Sequence, residues 1–239
     1  MIENTVAKGA DSVSLFVKGV EILPDGSVAR TGTNYSGKFQ EAHDASKASI
    51  QSRISNLESG GVKGTGNTPK ITEIKEGDLG KQIIKGKNGR KELAPNVRYI
   101  TEDGYKYTTD ELGRIVDVEA EELILQKGKR NTGMQVAAGR ENRLPDDDGG
   151  HLIGTQFHGS GDIDNLVAQN KQINRSGGEW YNMEKEWANA LSEIPPKKVS
   201  VKIEPVYQGT SLRPNYFEIV YEIEGKGIFE KTIRNRAGG

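Results

Sequence analysis

The chain has 239 residues, with 33 Lys and Arg, 34 Asp and Glu, and no cysteine. This length fits one large domain, or a medium domain with an attached segment, since domains usually have about 100–200 residues. Without cysteine the chain has neither disulfides nor thiolate metal sites, so any metal ion must be bound by oxygen or imidazole.

Hydropathy and charge further restrict the class of protein to which the chain can belong. Only 33% of the residues are hydrophobic, and no apolar run approaches the about 20 residues of a bilayer span, so we expect no membrane span. The first twenty residues lack the apolar core of a signal peptide, so we expect no classical cleaved signal peptide; export by another route would leave no such mark. The net charge of −1 is not the basic footprint of a nucleic-acid-binding protein and by itself argues mildly against a nuclease.

The amino-terminal part of the chain differs in character from the rest. Residues 1–33 mix short apolar pieces with turn signals, which indicates connecting structure rather than a core. Apolar residues recur at helical spacing over 36–58 and predict one amphipathic helix, whereas residues 61–69 are typical of a flexible linker. We therefore predict a helical and linker segment over 1–69 and a separate domain over 70–239.

Beyond residue 70 the pattern favours strands. A Glu-Asp-Gly turn separates Tyr99–Thr101 from Tyr105–Thr109 and predicts a hairpin, which Arg114–Val118 continues as a meander. Three more strands are predicted near the carboxyl terminus: Val199–Ile203, Tyr216–Ile223 and Gly227–Glu230.

One long helix is predicted between these two sets of strands, from Glu179 to Glu193. Trp180, Met183, Trp187 and Leu191 fall on one of its faces, and the two tryptophans are expected to anchor the helix on the sheet. The expected fold class is α+β, a mainly antiparallel sheet with this helix packed beside the site.

The residues that carry chemistry begin with the run Asp146–His151. One histidine after an acidic, Gly-rich turn, followed by Asn165, Asn174 and Glu184, can activate water beside a hard metal ion. A histidine suits a general base near pH 7, a role typically worth about 10²–10⁴-fold in rate. Magnesium keeps several waters, so very few protein ligands are needed when a phosphate completes its coordination.

Each of these residues also has an ordinary structural explanation. Asn165 is a candidate turn cap, Asn174 a candidate helix N-cap, and Glu184 a candidate solvated residue. The three aspartates do not fit the spacing of an EF-hand calcium loop. His158, in a second Gly-rich loop, is an alternative base, and we favour His151 because its surroundings provide more orientation.

The order of the motifs resembles the DNA/RNA non-specific endonuclease family, which belongs to the ββα-metal or His-Me finger class. The resemblance covers about residues 96–235. The Asp-Gly-Gly-His-Leu-Ile run, Asp110–Arg114 and Leu212-Arg213-Pro214 are similar to the nuclease domain at the carboxyl terminus of bacterial polymorphic toxins, including the LXG type. This implies a ββα-metal finger within the α+β fold.

The resemblance implies a role for each polar residue of the motif. His151 matches the general base, and Asn174 matches the asparagine that binds Mg²⁺, with Mn²⁺ as the alternative ion. Asn165 and Glu184 match residues that hold the metal with its waters and orient the site.

The arginine of the family is not assigned by the resemblance. The better-known branch has Asp-Arg-Gly-His, and Gly149 stands here where that arginine would be. Arg175, Arg140 and Arg143 are therefore candidates for binding the phosphate and stabilising charge in the transition state.

The implied activity is metal-dependent hydrolysis of DNA, with RNA as a further candidate substrate. The domain would be the toxin module of a secreted antibacterial toxin, with residues 1–69 as the tail of its delivery region. A type VII-like route of secretion, action in the target-cell cytoplasm and neutralisation by a cognate immunity protein are expected. Two alternatives remain: a non-catalytic protein-interaction module, and a phosphoesterase that acts on small phosphate esters.

Overall fold

The computed structural model describes residues 70–239, together with the backbone of a short hairpin formed by β1 (Glu21–Ile22) and β2 (Val28–Ala29). The predicted helix over 36–58 and the predicted linker lie outside the described residues. The chain divides into two compact units, Met1–Gly61 and Val62–Gly239. None of the helices between residues 70 and 239 is long and apolar enough to cross a membrane.

A seven-stranded sheet forms the body of the second unit, in the order β13-β12-β11-β8-β7-β6-β3, with only the β3–β6 pair parallel. Its strands are β3 (Thr72–Ile74), β6 (Val97–Ile100), β7 (Lys106–Thr109), β8 (Ile115–Ala120), β11 (Val199–Tyr207), β12 (Pro214–Ile223) and β13 (Gly227–Arg234). A separate hairpin consists of β4 (Ile83–Lys85) and β5 (Lys91–Leu93). The predicted α+β class with a mainly antiparallel sheet is confirmed.

The run that ends in His151 is a strand. β9 (Asp147–His151) pairs antiparallel with β10 (Leu166–Asn170). The prediction of an acidic, Gly-rich turn before His151 is therefore wrong, because these residues form a strand. The α-helices are α1 (Thr132–Ala137), α2 (Lys171–Asn174) and α3 (Glu179–Leu191). Short 3-10 turns lie at Glu76–Asp78, Lys87–Gly89, Arg140–Asn142 and Ile163–Asn165. Strands β9 and β10, followed by the helices, form the ββα arrangement.

Helix α3 is fixed on the large sheet by its apolar face. Trp180 packs edge-on against Phe217 with ring centroids 4.9 Å apart, and Trp187 packs against Tyr221 at 5.5 Å. Both tryptophans are fully buried, which confirms that they anchor the helix. Aromatic side chains contribute large buried apolar areas, so the remaining residues of α3 have a fixed position above the sheet.

A buried ion pair attaches the β9–β10 hairpin to the large sheet. The side chain of Asp147, the first residue of β9, is fully buried, and Arg213 donates to its two carboxylate oxygens at 2.7 and 2.8 Å. Arg213 also donates to the carbonyl of Asn235 at 2.8 Å, and the Asn235 amide donates to the carbonyl of Ala168 in β10 at 2.9 Å. A two-stranded hairpin is marginally stable alone, so these contacts hold the strand that carries His151.

Replacing Arg213 by alanine is expected to leave the Asp147 carboxylate buried without its partner. Removing one member of a buried ion pair costs about 3–5 kcal/mol, and urea unfolding should show a loss of this size. The control is Arg175→Ala, because its pair with Asp148 involves an arginine side chain that is 66% exposed. Because solvent screens an exposed pair, its loss should change the stability far less than the loss of Arg213. Equal losses in the two variants would contradict the anchoring role of Arg213.

Candidate active site

A cleft of about 1210 Å³ opens beside the end of β9, between α1 and the first turns of α3. The side chains that line it include five of the predicted site residues, namely His151, Asn174, Arg175, Glu184 and Arg143. The other lining residues are Leu125, Gln126, Lys127, Gly128, Arg130, Thr132, Gln135, Val136, Asp148, Gly149, Gly154, Thr155, Gln156, Ser176 and Tyr181. The structure therefore brings most of the predicted site together.

His151 is the last residue of β9 and is 8% exposed. Its Nε2 atom is buried and has no hydrogen-bond partner among the described residues. Burial, and then the positive charge of Arg130, lowers the pKa of His151 to about 4. The imidazole is therefore neutral near pH 7, which is the state that a general base requires.

Glu184 reaches the same cleft from α3. Its Oε1 atom is also buried without a hydrogen-bond partner among residues 70–239, and burial raises the pKa of Glu184 to about 7. A β-carbon at position 154 would lie 2.5 Å from this oxygen, so Gly154 gives the carboxyl group its space. Buried polar atoms normally have partners. Two unpartnered atoms on one cleft indicate that a water or a ligand completes the site.

Asn174 ends α2, and its amide nitrogen is already engaged. Its Nδ2 donates to Asp148 at 3.1 Å, and Arg175 donates to the same carboxylate through Nε at 2.8 Å and Nη2 at 2.7 Å. The hydrogen bond from Arg175 is the main cause that lowers the pKa of Asp148. Asp148 thus stays ionised and fixes the amide, which leaves the Asn174 carbonyl oxygen as the group able to bind a cation.

Asn165 does not line the cleft, and the prediction that it binds metal does not fit its position. Its side chain is fully buried, where Oδ1 accepts hydrogen bonds from the Ile153 backbone at 2.9 Å and the Tyr107 hydroxyl at 3.0 Å. Its Nδ2 donates to the carbonyls of Ile153 and Ser160, both at 2.8 Å. The whole hydrogen-bonding capacity of the amide is used. Asn165 therefore stabilises the loop that follows His151.

The alternative base, His158, lies outside the cleft lining. Its Nδ1 contacts Asp103 at 2.7 Å, in the turn between β6 and β7. This pair joins the loop after His151 to that turn, so His158 has a structural contact of its own.

The backbone of α1 occupies the space that a side chain at position 149 would need. A β-carbon on Gly149 would lie 2.1 Å from the carbonyl oxygen of Gln135. Arg143 lines the cleft, but its Nη1 donates to that same carbonyl at 2.6 Å and its Nη2 to the carbonyl of Asp147 at 2.7 Å. Arg143 thus joins α1 to β9. Arg140 lies in a second, smaller cavity and donates to the Lys91 carbonyl, so the prediction that it contacts substrate does not fit its position.

Arg130 is the cleft residue that the sequence interpretation missed. It lies directly before Asn131, which caps α1 by accepting a hydrogen bond from the Met134 backbone. Its positive charge acts on both His151 and Glu184. Within residues 70–239 its guanidinium makes one long hydrogen bond, to the Thr155 hydroxyl at 3.4 Å. Arg130 is therefore the cationic side chain with the most free donors beside the two unpartnered atoms.

Strands β9 and β10, the helices and the cleft form the ββα arrangement that the sequence resemblance predicted. A family model described as DNA/RNA non-specific endonuclease matches residues 95–225, more than half of the chain. The chain belongs to this family. A second family model, described as nuclease N terminal, matches residues 10–67.

Two groups of known proteins are similar to the chain. It is 50% identical over 147 residues to the type VII secretion system protein EssD of Staphylococcus aureus strains USA300 and NCTC 8325 / PS 47. That match covers 60% of this chain and 23% of EssD, so the chain spans less than a quarter of these relatives. NucA from Streptococcus agalactiae with no metal bound shares 20% identity at a TM-score of 0.42, covering 55% of this chain and 70% of NucA. The same nuclease with magnesium ion bound shares 16% at a TM-score of 0.42, covering 55% and 72%.

Gly149→Ala is expected to force α1 away from β9, because the new methyl group meets the Gln135 backbone. Overpacking of this kind costs about 1–3 kcal/mol, measurable by thermal or urea unfolding. Gly133→Ala, within α1 itself, is the matched control. Its β-carbon meets only the Asn131 side chain at 3.5 Å, so a gain of about 0.5–1 kcal/mol is expected. Full stability of the Gly149 variant would contradict the close packing of α1.

Proposed function

We propose that residues 70–239 are the catalytic domain of a metal-dependent endonuclease and that residues 1–69 belong to a delivery region. His151 is the general base, Asn174 the metal ligand and Glu184 the group that orders water. The observation that carries this assignment is the pair of buried, unpartnered atoms, Nε2 of His151 and Oε1 of Glu184, on one cleft. Membership of the endonuclease family favours this function over an interaction module or an esterase for small phosphates.

The donor atoms of the cleft fit a hard, mostly hydrated cation. Among residues 70–239 no group of three or more His, Cys, Asp or Glu side chains is placed to hold a metal ion. The Asn174 carbonyl would hold the ion, with water and the substrate phosphate as its other ligands. Mg²⁺ accepts such a site, with Mn²⁺ as the alternative. Bound there, the ion would neutralise charge on the phosphate oxygens.

The side chains of the cleft provide the remaining chemistry. Neutral His151 accepts a proton at Nε2 from a water whose oxygen attacks the phosphorus. The bond from phosphorus to the leaving oxygen breaks, and the leaving oxygen keeps the electron pair and takes a proton from a water molecule. Arg130 opposes protonation of His151 when the cleft is empty. The negative charge of a bound phosphodiester offsets that of Arg130, so substrate binding makes His151 a stronger base. Arg130 and Arg175 are the arginines that we assign to the phosphate.

The biological role that fits this domain is the toxin module of a secreted antibacterial protein. The similarity to a type VII secretion system protein supports export by such a system. DNA is the proposed substrate, with RNA as a second candidate, and the target-cell cytoplasm is the proposed place of action. The producing cell then needs an immunity protein, and a partner with acidic groups over Arg130 and Arg175 would block the phosphate site.

Replacing His151 by alanine should reduce plasmid cleavage in Mg²⁺ by about 10²–10⁴-fold, the usual contribution of a general base. Asn174→Ala should raise the concentration of Mg²⁺ needed for half-maximal rate. His158→Ala is the control for His151, because His158 contacts Asp103 outside the cleft. Cleavage that survives in His151→Ala, or that is lost equally in His158→Ala, would remove the assignment of the base.

Glu184 is expected to set the acid limb of the pH–rate profile. Its pKa is raised to about 7, so the carboxylate forms only as the pH rises through this value. With Glu184→Gln that limb should disappear, and the remaining fall in rate should move toward about pH 4, where His151 becomes protonated. The measurement is kcat/KM against pH for both proteins. An acid limb that stays near 7 in the variant would show that another group titrates there.

A further inference from the structure

Tyr181 is the one exposed aromatic side chain among residues 70–239. It is 37% exposed and lines the cleft, whereas the other aromatic residues of this range are buried or partly buried. Within the described residues its ring stacks on no other ring and its hydroxyl makes no hydrogen bond. The fold therefore leaves the ring without an internal role.

The ring is held at a fixed place relative to the reacting groups. Tyr181 precedes Glu184 by three positions on α3, and residues at this spacing have their β-carbons about 5–6 Å apart on one helix face. Helix α3 is anchored by Trp180 and Trp187, which are fully buried. The aromatic surface thus lies about one helical turn from the carboxyl group that we assign to catalysis.

The rest of the cleft has the chemistry of a strand-binding groove. Its charged lining consists of four cationic side chains, Lys127, Arg130, Arg143 and Arg175, against the two carboxyl groups of Asp148 and Glu184. Leu125 and Val136 add apolar surface and are 45% and 73% exposed. Proteins that bind single-stranded nucleic acid combine a positive groove with an aromatic surface on which bases stack.

We propose that Tyr181 stacks on an unpaired nucleobase beside the scissile phosphate, so that the domain prefers single-stranded or locally unpaired nucleic acid. In a duplex both faces of a base are covered by its neighbours, whereas an unpaired base can expose a face to an aromatic ring. The cleft volume of about 1210 Å³ leaves room for a base next to the phosphate. This inference rests on the proposed endonuclease function and names its substrate class.

Binding in EDTA tests the contact without catalysis. Three fluorescent oligonucleotides of equal length are compared by anisotropy: a single strand, its duplex, and a single strand of abasic nucleotides. The domain should bind the single strand most tightly, and Tyr181→Ala should raise its Kd about 5- to 150-fold, the equivalent of one stacked base. The abasic strand should bind equally to both proteins. Tyr181→Phe keeps the ring and should bind as the unaltered domain does.

A control on the same helix separates stacking from general damage. Lys185 is exposed on α3 but does not line the cleft, so Lys185→Ala should leave the preference for the single strand intact. Equal weakening of all three ligands in Tyr181→Ala, or an unchanged Kd for the single strand, would overturn the inference.

Cleavage in Mg²⁺ distinguishes this inference from the proposed function. If the unaltered domain cleaves the single strand and the duplex equally, and Tyr181→Ala changes neither rate, the stacking role is wrong while the nuclease assignment stands. If the unaltered domain binds the single strand through Tyr181 but cleaves no oligonucleotide in Mg²⁺ or Mn²⁺, the proposed catalysis is wrong while the stacking contact stands.

Discussion

The position of the β9–β10 hairpin depends on the buried pair of Asp147 and Arg213. Strands β9 and β10 form a two-stranded sheet of their own, separate from the seven-stranded sheet. Charges are buried only when they are paired and hydrogen-bonded, so the bidentate contact specifies one placement of the hairpin. His151 at the far end of β9 then lies where Glu184 and Asn174 also face the cleft. Strand, sheet and helix thus act as one rigid support for three side chains.

The electrostatics of the cleft differ from those of the whole chain. The formal net charge is −1, yet cationic side chains predominate around His151. Part of the acidic charge lies on the large sheet outside the cleft lining: Lys202 there faces three carboxylates, Asp117 at 3.2 Å, Glu204 at 2.9 Å and Glu119 at 3.6 Å. A phosphate responds to the local field of a site rather than to the total charge. A near-neutral composition is therefore a poor guide to the local charge of this cleft.

The sequence predicted the elements whose apolar residues recur with a strong period. It did not predict the features that tertiary packing decides. The tryptophan spacing predicted α3, which ends at Leu191, two residues before the predicted end. The strand at Asp147 was missed because aspartate and glycine signal turns locally, while α1 and Arg213 impose extended backbone from outside. The sequence does not distinguish an asparagine whose amide bonds to the backbone from one that binds a metal ion, so the buried hydrogen bonds of Asn165 were not predicted. Arg130 lies in no local sequence motif, so the sequence did not indicate it as a site residue.

Asn235 lies 65 positions after Asn170 in the sequence. Its side-chain Oδ1 accepts a hydrogen bond from the backbone nitrogen of Asn170. This anchor of the hairpin is therefore synthesised after both strands of the hairpin. Until Asn235 is available, β9 and β10 can pair and Asp147 can meet Arg213, but the backbone of β10 lacks its two hydrogen bonds with the Asn235 side chain. Assembly of the cleft is thus coupled to synthesis of the chain as far as Asn235, and a shorter chain carries β9 and β10 without these hydrogen bonds.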